Sequence, residues 1–69
     1  MGDIKKLKII YEESIFVQKS VIAKNREKLK NAEKNNNFAE MRRLRHLLNI
    51  LYDEKCELEY LYKCLSEYA

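Results

Sequence analysis

A chain of 69 residues forms one domain at most, residues 1–69, because so short a polypeptide buries little apolar surface. Hydrophobic residues at 46% and charged residues at 36% exclude compositional disorder, and no apolar run approaches the ~18 residues of a membrane helix. A net charge of +3 is too mild to declare a nucleic-acid partner by itself.

The opening segment, Met1-Gly2-Asp3-Ile4-Lys5-Lys6, lacks the apolar core of a secretory signal, so a cytoplasmic location is expected. The one glycine is Gly2 and there is no proline, which leaves nothing to break a helix from Asp3 onward. Ile4, Leu7, Tyr11, Ile15, Ile22 and Leu29 recur at helical spacing, and the pattern predicts a first helix over about residues 3–34. Asn35-Asn36-Asn37 follows, a run that tolerates left-handed backbone and caps helices. Asn37 with Glu40 matches a capping box and starts a second helix over about residues 38–67. Its stripe is Met41, Leu44, Leu48, Leu51, Leu58, Leu61 and Leu65, with Leu47 and Tyr62 beside it.

Two helices of equal length joined by a short turn predict an all-α antiparallel hairpin, completed into a helical bundle by oligomerisation or a partner. Heptad arithmetic places Ala32 opposite Met41, Leu29 opposite Leu44, Asn25 opposite Leu48 and Ile22 opposite Leu51. Further out, Ile15 meets Leu58, Tyr11 meets Tyr62 and Lys8 meets Leu65. Gln18 opposite Lys55 makes either a polar layer or a site where the lysine turns outward.

Apolar residues also lie beyond this seam. Ile9, Phe16 and Ala23 recur every heptad on the opposite face of the first helix, with Ile10 and Val17 on its flank. The second helix carries Phe38, Tyr52, Cys56, Tyr60 and Cys64 away from its leucines. A hairpin cannot cover so much periodic apolar surface by itself, which predicts helix-on-helix binding to another protein or to a second copy. The expected contact residues are Ile9, Phe16, Val17, Ala23, Phe38, Tyr52 and Tyr60.

Charge is uneven along the chain. From Lys24 to Arg45 eight basic side chains stand against three acidic ones, whereas from His46 to Ala69 five acidic side chains stand against two basic. The hairpin is thereby expected to have a basic turn end, where Arg42, Arg43 and Arg45 are candidates for contact with nucleic acid or an acidic partner. A dimeric hairpin binding RNA or DNA, and a small inhibitor hairpin, are the alternative functional readings.

The sequence offers little to catalysis. His46 is the only histidine and lies ~15 Å along the helix from Cys56. Cys56 and Cys64 are ~12 Å apart on one helix, too far for a bridge within the chain. No CxxC, HExxH or phosphate-cradling glycine loop occurs. The expectation is a non-enzymatic module with no metal, no cofactor and no small-molecule substrate.

The stretch Phe38-x-Glu40-Met41-x-x-Leu44-Arg45-x-x-Leu48-x-x-Leu51 resembles the second helix of the UVR hairpin motif of excision-repair proteins and some chaperone ATPases. It covers under half of the chain and departs from that motif at Arg42 and His46. In size, hairpin architecture and an aromatic opening to the second helix, the whole chain also resembles the small co-chaperones of type III secretion needle subunits. That resemblance implies a cytoplasmic adaptor that joins a helical-repeat co-chaperone and keeps a needle subunit from assembling.

Overall fold

The computed structural model describes residues 2–68, so Met1 and Ala69 of the expected domain lie outside the described residues. Helix α1 spans Gly2–Lys34 and helix α2 spans Phe38–Tyr68. The two pack against each other as a rod whose Cα extents are 53 × 14 × 12 Å. Asp3 in the first turn of α1, Lys34 in its last turn and Glu40 in the first turn of α2 each complement the helix dipole at that end.

The asparagine run builds the reversal through its backbone. Asn36 adopts a φ of 55°, the left-handed conformation that asparagine accepts more readily than branched or bulky residues. The Asn37 N–H then reaches back to the Ala32 carbonyl at 3.0 Å, and the Asn36 N–H to the Glu33 carbonyl at 3.2 Å. These are the paired bonds of a Schellman cap, and they satisfy carbonyls that the end of α1 would otherwise orphan. Asn37 next caps α2, its Oδ1 accepting the Glu40 N–H at 3.3 Å. Only half of the expected capping box forms. Glu40 turns away to bind Arg43 one turn on, where an ion pair is available in place of a neutral amide.

The core sits near the turn. Ile22, Asn25 and Ala32 of α1 and Leu44 and Leu48 of α2 are buried, and Leu44 is fully enclosed. Leu29, Met41 and Leu51, their expected partners across the seam, are half-buried. Asn25 has no apolar reason to be inside. It is held there because its Nδ2 donates to the Val21 carbonyl at 2.8 Å, which spares the ~1–3 kcal/mol cost of an unpartnered buried amide.

Toward the open end no residue from Gly2 to Val21, or from Asn49 to Glu67, is buried. Ile4, Leu7 and Leu61, expected on the seam, are exposed. Two helices in contact cover only a narrow stripe of each other, so the shoulders of a wide apolar face stay in water.

Polar contacts hold this half instead. Gln18 Nε2 donates at 3.1 Å both to the Leu51 carbonyl and to Glu54 Oε2. Lys55 leaves the layer and turns along α2 to Glu59 at 3.7 Å, the outward alternative. The Tyr62 hydroxyl donates to Glu12 Oε1 at 2.6 Å, while Lys8 Nζ stands 6.0 Å from the Tyr62 ring centroid.

Candidate interaction surface

The two long sides of the rod differ in chemistry. On one side, Ile10, Ser14 and Val17 of α1 line a shallow open groove with Gln18 and with Leu58 of α2, and Glu13 stands at its rim. At about 100° per residue, Val21 extends this row along α1, and Ile50 and Leu61 lie on the same shoulder of α2. Ile10 is 56% exposed and Val17 58%, with Ile50 and Leu61 also exposed. The other side carries the Glu12–Tyr62 bond and, nearer the turn, Arg45 at 3.8 Å from Glu33. Lys19, Arg26, Lys30 and Lys63 share that charged side by helical rotation and are exposed. The Val17 side thus gathers more exposed aliphatic side chains, interspersed with charges.

All seven expected partner contacts are exposed, but they do not converge. Val17 alone belongs to the apolar side. Ile9, Phe16 and Ala23 form a stripe on the outer face of α1, with Phe16 at 71% exposure. Tyr60 lies on the outer face of α2, whereas Phe38 and Tyr52 face the charged side, where Lys55 Nζ is 6.0 Å from the Tyr52 ring centroid. Ile50 escaped attention in the sequence because it belongs to neither the leucine stripe nor the outer aromatic set. The relative rotation of the two helices places its shoulder of α2 on the same side of the rod as the Val17 shoulder of α1.

Arg43 points away from the other two arginines of the turn end and binds Glu40 through both Nε and a terminal nitrogen. This bond holds the Glu40 carboxyl below its usual range and raises the Arg43 guanidinium further. Arg45 lies on the charged side beside Glu33, and Arg42, three residues before it, is its neighbour about 60° around the helix. Arg42 and Arg45 thus share one face, and Arg43 does not.

The thiols of Cys56 and Cys64 are free, and among the described residues no group of three His, Cys, Asp or Glu side chains is placed to hold a metal. No described helix is long and apolar enough to cross a membrane. Comparison with known proteins returns no matching family model, no matching curated protein and no matching solved structure.

Proposed function

We propose that the hairpin is a non-enzymatic protein-interaction module that works by packing helices onto its Val17 side. The observation that carries this reading is the exposure of Ile10, Val17, Ile50 and Leu61 together on one shoulder of the seam. Exposed apolar side chains on both helices give an incoming helix something to pack on, since its own apolar stripe spans a third of a turn or more, and Ser14, Gln18 and Glu54 among them can take its polar groups. A small cytoplasmic adaptor or co-chaperone is the most concrete form of this activity, and the likeness to needle-subunit co-chaperones agrees with it. Nucleic-acid binding by Arg42, Arg43 and Arg45 is the weaker reading, because two of the three already face carboxylates and Arg43 points away from the other two.

The test replaces Val17 and Ile50 by aspartate, singly, on an exposed surface where the folded monomer tolerates a charge. Each variant is expected to retain its helical circular dichroism and lose association with other polypeptide, whether a second copy or a different protein. Phe16→Asp, on the outer face of α1, is the control expected to keep it. Association lost with Phe16→Asp and kept with Val17→Asp would move the interface to the outer face and end the proposal.

A further inference from the structure

We infer that the Val17 side is closed by a second copy of this chain, packed antiparallel so that the turn end of each lies over the open end of the other. The inference rests on the reading of that side as an interaction surface and adds the occupant. Charge is the first argument. By helical rotation this side carries exposed Lys24, Lys28 and Arg43 in the turn half, where Glu40 pairs with Arg43, and exposed Lys6 in the open half. The open half sets exposed Asp3, Glu13, Glu54 and Glu57 against that one lysine, so the turn half is net basic and the open half net acidic. A parallel copy would set lysine over lysine and glutamate over glutamate. An antiparallel copy sets each basic end over an acidic one, in both directions at once, as a two-fold axis requires.

Packing gives the same orientation. Every buried residue of the hairpin lies between Ile22 and Leu48, so each copy has one well-covered half and one bare half. Antiparallel stacking lays the bare half of each over the covered half of the other and shares the deficit evenly. The area suffices as well. A face of 53 × 14 Å amounts to roughly 700 Å² per copy and ~1,400 Å² in all, within the range of stable interfaces. The single-helix stripe of Ile9, Phe16 and Ala23 is narrower and remains on the outside.

Sedimentation equilibrium on the full chain is expected to give twice the 8.3 kDa chain mass. Val17→Asp should weaken the dimer by more than about tenfold, because a carboxylate would be buried at its centre. Orientation is read from charge reversal. Glu13→Lys with Glu57→Lys should weaken the dimer several-fold, and Lys24→Glu with Lys28→Glu in the same chain should restore it. Glu13 and Lys24 are about 16 Å apart along α1, beyond the ~10 Å screening length at 0.1 M salt, so the rescue must act between copies. A dimer without rescue overturns the antiparallel arrangement. A single-chain mass overturns the second copy. If that monomer forms a Val17-dependent complex with a different protein, the interaction reading survives the loss. A dimer dissolved by Phe16→Asp and untouched by Val17→Asp overturns both.

Discussion

The turn half and the open half of the rod are built from the same kinds of residue and are held together differently. The turn half has a closed backbone cap, a fully enclosed Leu44 and a buried Asn25 with its amide bonded inside its own helix. The open half has Ile, Val and Leu in plenty and buries none of them completely, relying on Gln18, Glu54, Glu12 and Tyr62 across the seam. Apolar content does not by itself make a core. Two helices enclose side chains where the chain reversal fixes their spacing, and farther out enclosure needs a third surface.

The sharpest way to break this comparison is to truncate one leucine in each half. Leu44→Ala is expected to cost about 3 kcal/mol at any protein concentration, because its cavity lies wholly within one chain. Leu58→Ala, at a half-buried position lining the open groove, should cost less than half as much in dilute solution, and more as concentration rises. Urea unfolding followed by circular dichroism at two concentrations checks both. Equal and concentration-independent costs would mean that the halves do not differ.

Smaller effects sharpen the account of the turn. Asn37→Ala removes the oxygen that accepts the Glu40 N–H and is expected to lower stability by about 1 kcal/mol. Asn36→Gly should raise it by roughly 0.5 kcal/mol, since glycine holds a φ of 55° without the Cβ strain that asparagine still carries. Thermal midpoints moving in opposite directions at these neighbouring positions would confirm that one is a side-chain cap and the other a backbone cap. A loss at Asn36→Gly would show that its side chain matters more than its backbone.

The turn was legible in the sequence because asparagine acts locally: three in a row between two periodic stretches leave few other conformations. Helix extents and the facing of Ile22, Leu44 and Leu48 were legible for the same reason, since periodicity and the position of the turn determine them. The proposed Val17 side was legible only in part, since Val17 was among the expected contacts and Ile50 was not. Heptad positions sort residues by face on one helix at a time, and they drew attention to Phe16 and Tyr60, large residues on two different outer faces. Which shoulder of α1 adjoins which shoulder of α2 depends on the rotation of both helices about their axes. That Val17 and Ile50 share one side of the rod follows only from both rotations together. Asn25 was legible as a seam residue opposite Leu48, and only the partner of its amide, the Val21 carbonyl, needed the structure.

The smallest effects distinguish the halves by pH. In the turn half, the Arg43 guanidinium bonded to Glu40 holds that carboxyl low. A depressed folded-state value means that the pair stabilises the fold above the ordinary carboxylate range and is lost as pH falls through the lowered value. In the open half, the Tyr62 phenol is bonded to the Glu12 carboxylate, which raises its pKa because ionisation would break that bond and set two negative charges together. A raised value reverses the sign. That contact stabilises the fold fully below the ordinary phenol range and is lost as pH climbs through the raised one. Spectrophotometric titration of the tyrosines should therefore show one phenol ionising late. Tyr62→Phe should abolish it, and Glu12→Gln should return it toward the others. Both pairs are open to solvent, so added salt should shrink each effect. The Glu40–Arg43 contribution should accordingly fade in acid and the Glu12–Tyr62 contribution in alkali, as read by comparing Arg43→Gln and Tyr62→Phe with the parent chain across pH. A difference from the parent that does not change with pH would show that the contact does not carry the dependence.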